Sequence, residues 1–316
     1  EACAAEIQDP TNRRYLHPFN HCLDCGPRYS IIKTLPFDRA NTSMAEFEMC
    51  SACQREYKDP LSRRFHAQTN ACHHCGPQYF IQPERQKNSV VNELACRLVD
   101  GEIVAYKATG GYRLVCIASS DETVLRLREI KQRPDKPFAV MFESFDECDK
   151  SLECDTPARS ALQSPANPIV LIPTTGDSLV SEFVAPNQNK LGVMLPGNAF
   201  ELLLLKAVGK PLVMTSANLN GEPQIYHDED AFKKLNGIVD SVVWHDRKIQ
   251  RRLDDSVVCI SPPLVLRRAR GLSCKHIAWP PGFPTENSFL AFGADLKNTF
   301  AIVTALAFAA RNMLVI

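Results

Sequence analysis

Seven of the thirteen cysteines in this 316-residue chain fall before residue 76, in a spacing that suits metal binding. Cys22 and Cys25, Cys50 and Cys53, and Cys72 and Cys75 are CxxC pairs, and Cys3 precedes Cys22 by the interval that separates Cys53 from Cys72. The segment is an internal repeat. Asp9-Pro10-Thr11-Asn12-Arg13-Arg14-Tyr15 corresponds to Asp59-Pro60-Leu61-Ser62-Arg63-Arg64-Phe65, and Cys22-Leu23-Asp24-Cys25-Gly26-Pro27 to Cys72-His73-His74-Cys75-Gly76-Pro77. Two CxxC pairs at this separation can offer four thiolates tetrahedrally to zinc, and the glycine after the second cysteine lets backbone amides approach the sulfurs. Cys50, Cys53, Cys72 and Cys75 are a complete set. Cys3, Cys22 and Cys25 are three ligands of a second one. The repeat places its fourth ligand one residue ahead of Glu1, with His17, His21 or water as alternatives. Disulfides are the competing chemistry, and a cytosolic setting argues against them. A closed sulfur site has no open position for catalysis, so both metals read as structural zinc. Cys96, Cys116, Cys148, Cys154, Cys259 and Cys274 are scattered and read as ordinary reduced thiols.

A second concentration of chemistry lies in basic and hydroxyl side chains. Lys131, Arg133 and Lys136 crowd a helix end in Lys131-Gln132-Arg133-Pro134-Asp135-Lys136-Pro137. Cations this close repel unless solvent screens them or an anion neutralises them, so a polyanion is the natural guest and a solvated turn the alternative. Thr215, Ser216 and Asn218 end an apolar strand, where hydroxyl and amide groups can hold phosphate or carboxylate oxygens or simply form a polar turn closed by Gly221. Lys107 ends another strand just before Gly110-Gly111, placing a charge beside backbone that a ligand can approach closely; a plain turn is the other reading. Further on, Arg251-Arg252-Leu253-Asp254-Asp255-Ser256 and Arg267-Arg268-Ala269-Arg270-Gly271 flank two short strands. Their basic residues suit a triphosphate, while Asp254 and Asp255 could hold Mg²⁺ or pair with arginines.

These groups need elements to position them. Helical spacing runs from Val90 to Val99 and stops at Asp100-Gly101; a capping box at Ser119-x-x-Glu122 opens a helix ending near Lys131; Ala199 to Val208 is a third, strongly apolar helix. Apolar runs at 103–106, 138–142, 168–172, 191–195, 211–214 and 257–260 read as strands, and 164–184 reads mostly as loop. Strands and helices interleave, which makes an α/β sheet domain the expected class. Thirty-six basic residues balance thirty-six acidic ones, so an anion site must be local, and no general attraction to nucleic acid or membrane follows. Arg13, Arg14, Arg63 and Arg64 are basic, but neither cysteine module shows a recognition-helix pattern. No apolar run approaches a membrane span and no secretory leader is visible.

Glu129-Ile130-Lys131-Gln132-Arg133-Pro134, Pro211-Leu212-Val213-Met214-Thr215-Ser216-Ala217-Asn218-Leu219, Asp255-Ser256-Val257 and the arginines at 267–271 together resemble the YrdC-like fold, an α+β domain with a twisted mixed sheet that binds ATP and makes acyl-adenylates. With the double cysteine module ahead of them, the chain resembles the HypF carbamoyltransferase family of nickel–iron hydrogenase maturation over roughly residues 1 to 300. The resemblance implies a zinc-finger module at 1–84, a YrdC-like ATP- and carbamate-binding domain at 85–276, and at 277–316 a linker around Pro280-Pro281-Gly282-Phe283-Pro284 with the start of an actin-like transferase domain near Ala291-Phe292-Gly293-Ala294-Asp295. It therefore reads as an internal fragment. The resemblance also implies a cytoplasmic enzyme that joins carbamate to ATP, with Mg²⁺, while a transferase domain passes the carbamoyl group to a cysteine of a HypE-type acceptor for cyanide ligand synthesis. Lys107, Lys131 and Arg133 are the expected catalytic charges. Lys136, Thr215, Ser216, Asn218, Arg252, Ser256 and Arg268 are the expected ATP and carbamate contacts. Single-domain relatives make threonylcarbamoyl-adenylate and typically carry Pro-Thr-Glu where this chain has Lys107-Ala108-Thr109-Gly110-Gly111; a cation there favours carbamate. A non-catalytic zinc module for RNA or a protein partner is the remaining alternative.

Overall fold

The computed structural model describes residues 1–84, 89–174, 179–218, 221–273, 277–278, 288–293, 300–303 and 312–315. Leu219, Asn220, Cys274, the linker at 280–284 and the residues 294–299 of the expected transferase turn lie outside the described residues.

The cysteine modules contain little regular structure beyond α1 (Ala2–Gln8) and α2 (Ser51–Lys58). The two helices occupy matching places in the repeat. The chain then builds β1 (Tyr79–Gln82), α3 (Val90–Val99), β2 (Val104–Lys107), β3 (Tyr112–Ile117), α4 (Asp121–Lys131), β4 (Ala139–Met141), α5 (Phe145–Asp149) and α6 (Thr156–Leu162). It continues with β5 (Ile169–Pro173), β6 (Lys190–Met194), α7 (Ala199–Val208), β7 (Leu212–Ser216), α8 (Asp228–Leu235), β8 (Ser241–His245), β9 (Val257–Cys259) and β10 (Leu264–Arg267). Ten strands form one mixed sheet in the order β1-β8-β2-β3-β7-β4-β6-β5-β9-β10. The pairs β2–β8, β4–β6 and β5–β9 are parallel, and the other neighbours run antiparallel. A separate four-stranded sheet has the order β11 (Ile277–Ala278), β14 (Asn312–Val315), β13 (Phe300–Val303), β12 (Phe289–Phe292).

Alternation along the central strands decides which face each side chain serves. Leu212 and Met214 point to one face with α3 and α7, where Leu94, Leu98, Phe200 and Leu204 bury against them. Val213 points to the other, with Val124 and Leu127 of α4, Phe145 of α5, Leu162 of α6 and Leu235 of α8. Helix ends follow the local chemistry. Ser89, Ser120 and Asn198 each accept the amide three residues on and so open α3, α4 and α7. The cap of α4 is therefore Ser120, not the expected Ser119; the chain at Ala118 is still tied to Pro211 and Ser181 by backbone bonds, so the helix starts one residue later. Gln132 ends α4 in the left-handed region at φ 46°, and Gly209 ends α7 at φ 65°.

The cysteine modules dock on this sheet through apolar and aromatic contacts. Ile7 of α1 packs on Ala199 and Leu203 of α7. Phe19 stacks on Tyr79 at 4.9 Å, and Tyr79 on Phe200 at 4.1 Å, which carries the contact from module to core. Gln250 donates its backbone amide to Ser30 O at 2.7 Å and Ser43 Oγ donates to Lys248 O at 2.6 Å, so the segment before Asp254 is anchored from the module side. Its far end is anchored at Gly110, whose carbonyl accepts from Leu253 N at 2.9 Å. A Cβ on Gly110 would lie 2.2 Å from the Leu253 carbonyl oxygen, which is backbone and cannot step aside. Gly110→Ala should therefore destabilise the chain by about 1–3 kcal/mol, read as a lower urea midpoint with an unchanged slope.

Candidate active site and metal centres

A cavity of about 440 Å³ opens over the middle of the sheet. Ala139, Gly192, Ile169, Leu171 and Met214 lie at its base, and the small side chains at 139 and 192 leave the room. Gly192 is paired with Ala139 on one side and Leu171 on the other, so the dip spans three adjacent strands. Arg133 and Lys136 line it from the exit of α4, Thr215 and Ser216 from the end of β7, Arg113 from β3, Lys190 from β6, Asp254 and Asp255 from the approach to β9, and Arg267 from β10.

The exit of α4 is shaped by Arg128, whose guanidinium donates to the carbonyls of Arg133 at 2.7 Å, Pro134 at 2.8 Å and Phe183 at 2.6 Å. Arg133 is turned across the Phe138 ring at 5.0 Å and donates to Lys136 O at 3.1 Å and to Pro137 O. Burial, then Arg128 and Arg267, bring its pKa down to about 10. The guanidinium stays charged near neutrality, but its surroundings favour arrival of an anion. On the opposite wall Asp255 accepts two bonds from Arg113 Nη2, both 2.8 Å, and one from Arg270 Nη2 at 2.8 Å. Burial alone would raise this carboxyl; Arg113 and Arg270 outweigh it and hold the pKa at about 2. Arg113 also lies 3.5 Å from Glu201, which accepts from Tyr106 Oη at 2.6 Å and from Gly197 N at 2.8 Å.

The cavity thus brings together Arg133, Lys136, Thr215 and Ser216 of the residues singled out from sequence. Lys131 sits behind them, 5 % exposed, donating to Ser216 O at 2.8 Å, Asn218 Oδ1 at 3.0 Å and Asn218 O. Asn218 accepts from Ser216 Oγ at 2.7 Å and donates to Glu222 O at 2.7 Å, so it shapes the end of β7 from outside the lining. Ser256 is buried and pins the arginine loop, donating to Arg270 O and accepting from Ala269 N, both at 2.9 Å. Lys107, Arg252 and Arg268 do not line the cavity. Lys107 is 1 % exposed and gives its ammonium to Asp228 and to His245 O at 2.9 Å; burial pulls its pKa down against the pull of Asp228. Arg252 lies over Tyr226, and Arg268 donates to Leu272 O. Sequence reading did not single out Arg113, Lys190 or Arg267 individually. For Arg113 the available signal was a charge at the second position of the otherwise apolar Tyr112–Ile117 strand.

Two sulfur clusters occupy the modules. Cys50 and Cys72 lie 3.8 Å apart, Cys72 and Cys75 3.8 Å, and Cys53 and Cys75 3.6 Å. Four ligands about 2.3 Å from a tetrahedral zinc have sulfurs about 3.8 Å apart, so the set fits the ion without rearrangement. In the other cluster Cys22 and Cys25 are 3.8 Å apart and Cys3 and Cys25 3.7 Å, three corners of the same figure. Neither His17 nor His21 joins that group among the described residues; His17 packs instead against Phe19 and His73. Arg14 and Arg64 are buried and Arg13 and Arg63 exposed, and all four pair with Glu56 or Glu6.

The Asp255 network makes stability pH-dependent. A carboxyl held below its unfolded pKa stabilises the fold fully above about pH 4, and that contribution is lost as pH falls toward 2. Asp255→Asn should lower stability at pH 7 by up to about 3 kcal/mol and flatten the loss between about pH 4 and pH 2. Urea titrations of both proteins across that range check the expectation.

Comparison with known proteins places this architecture. The family model described as telomere recombination, that of the Sua5/YciO/YrdC proteins, matches residues 96–269, and the model described as HypF finger matches residues 1–32 and 49–82. A carbamoyltransferase HypF of Rhodobacter capsulatus is 44 % identical over 303 residues, which is 95 % of this chain and 40 % of that protein. A crystal structure of full-length HypF in a phosphate- and nucleotide-bound form superposes on the whole of this chain and 41 % of its own, with TM-score 0.91 and 39 % identity. A threonylcarbamoyl-AMP synthase of Xanthomonas campestris is 30 % identical over 156 residues, 46 % of this chain and 82 % of the synthase. No helix among the described residues is long and apolar enough to cross a membrane. The chain belongs to the Sua5/YciO/YrdC family, with segments that match the HypF finger ahead of that domain, and it spans about 40 % of the length of the HypF relatives it matches.

Proposed function

We propose that this chain carries the adenylation step of HypF-type carbamoyl transfer. ATP and carbamate, the latter released from carbamoyl phosphate, give carbamoyl-adenylate and pyrophosphate. The carbamoyl group then passes in the cytoplasm to the C-terminal cysteine of a HypE-type acceptor, for cyanide ligand synthesis. The observation that carries this reading is the cation-rimmed cavity over Ala139 and Gly192, in a chain whose likeness to HypF covers fingers and sheet together. A nucleotide-bound relative of this fold supports ATP as the guest.

In the proposed step a carbamate oxygen attacks the α-phosphorus, and the bond to the bridging oxygen breaks with its electron pair leaving on pyrophosphate. No protein nucleophile is needed; positioning and neutralisation of phosphate charge are. Arg133, Lys136 and Arg267 supply the charge, and the Thr215 and Ser216 hydroxyls offer donors at the strand end. Arg113, fixed by Asp255 and Glu201, presents a pre-oriented guanidinium at the base. Lys131, Asn218 and Ser256 hold these groups in place. Lys107 tethers Asp228 instead of facing the cavity, so the preference for carbamate rests on the finger modules and the HypF likeness, not on a lysine in the pocket. Mg²⁺ bound with ATP would neutralise the leaving pyrophosphate. Asp255 does not fit as its ligand, because both its oxygens already accept from guanidinium groups, and no step is assigned to the ion.

Threonylcarbamoyl-adenylate synthesis is the second reading, favoured by the 30 % identity to the Xanthomonas synthase. RNA binding by the fingers lacks support, since their four conspicuous arginines are committed to carboxylates. Pyrophosphate release from ATP should occur with ammonium plus bicarbonate, a source of carbamate, and not with threonine plus bicarbonate. Arg133→Gln should lower that rate by about tenfold or more with zinc content unchanged. Release with threonine alone would transfer the chain to the second reading, and a full rate in Arg133→Gln would remove this cavity as the site.

A further inference from the structure

The two cysteine modules exchange arginines. Arg13, in the first module, places Nη2 3.2 Å from Cys53 Sγ and 3.8 Å from Cys50 Sγ in the second, with Nη1 2.9 Å from Glu56. Arg63, at the matching position of the repeat, reaches the other way: both terminal nitrogens lie 3.6 Å from Cys3 Sγ, and Nη2 is 2.7 Å from Glu6. Their neighbours repeat the exchange in the buried layer. Arg14 donates to Ala71 O and Asn70 Oδ1, both 2.9 Å, and Arg64 to His21 O at 3.0 Å and Asn20 Oδ1 at 2.8 Å. Asn70 and Asn20 in turn donate to the carbonyls of Cys53 and Cys3, each at 2.9 Å. These steps in one module have their counterparts in the other, related by the repeat, while Arg14 Nη2 alone of the inner pair also lies near sulfur, 3.7 Å from Cys53 Sγ.

Four thiolates around a zinc ion leave a net charge of about −2. In a partly buried site that charge is costly unless donors reach the sulfurs, and groups bonded to the ligands change metal affinity by about 10–100-fold. Here the cationic donor to each cluster comes from the opposite module. Within its own module each arginine pair touches no sulfur in the bonds described, so a lone module would present its thiolates without this counter-charge. We propose that Arg13 and Arg63 are exchanged positioning residues, each setting the metal affinity of the other module's sulfur site. This goes beyond the adenylation reading and does not depend on it, because the prediction concerns metal binding alone.

The test uses the full chain loaded with cadmium, which takes zinc's place at thiolates. Cadmium NMR gives separate signals for the four-sulfur and three-sulfur sites while a chelator is titrated in. Arg13→Gln should weaken the four-sulfur site by about tenfold or more and change the three-sulfur site less. Arg63→Gln should do the reverse. Arg13→Lys, which keeps the charge but loses the fork, should recover part of the loss. Weakening of each variant's own module, equal loss at both sites, or unchanged affinities would each overturn the assignment.

Discussion

One carboxylate organises the cavity. Asp255 accepts from Arg113 in the middle of the sheet and from Arg270 beyond its edge, while its own carbonyl accepts from Arg267 Nε at 2.7 Å. Arg113 of β3 and Arg267 of β10 are thereby linked through one residue, and both line the space above Ala139 and Gly192. A buried ion pair contributes little net stability compared with well-packed apolar groups, yet breaking it leaves an uncompensated charge and costs several kcal/mol. What the pair supplies is registry. It holds Arg113 and Arg267 at set positions in the lining of one cavity, which a hydrophobic contact could not specify.

The same logic of placed charge runs through the rest of the molecule. The chain is neutral overall, so the positive rim at Arg133, Lys136 and Arg267 is a local device created by folding. The rim is kept from collapsing on itself by backbone carbonyls: Arg128 holds those of Arg133 and Pro134, and Lys131 holds that of Ser216. The cysteine modules act at a distance from this rim but not independently of it. Through Ser30, Ser43 and the Phe19–Tyr79–Phe200 stack they anchor the segment that leads to Asp254 and Asp255. The cysteine modules thus support the position of one wall of the cavity, which is a physical reason for fingers and sheet to occur in one chain.

Much of this was legible from residue order. The CxxC repeat marked both sulfur clusters, because pairs recurring at a matching interval can bring their thiols together around one point. Periodicity marked the helices at 90–99 and 199–208, because a face that buries must recur at 3.6 residues, and apolar runs marked the strands at 103–106, 138–142, 168–172, 191–195, 211–214 and 257–260. Thr215 and Ser216 could be placed at a strand end, and Arg133 and Lys136 after a helix, from local chemistry alone. What only the tertiary structure decided is which cations share a space. Lys107 and Arg133 look equivalent in sequence, yet one is consumed by Asp228, 121 residues away, and the other faces the cavity. Arg113 looks like an interruption in an apolar strand until Asp255, 142 residues on, pairs with it. Arg13 and Arg63 look like surface charges until the second module arrives to receive them. A cation's role is set by the anion it meets first, and that meeting is a property of the fold, not of neighbours along the chain.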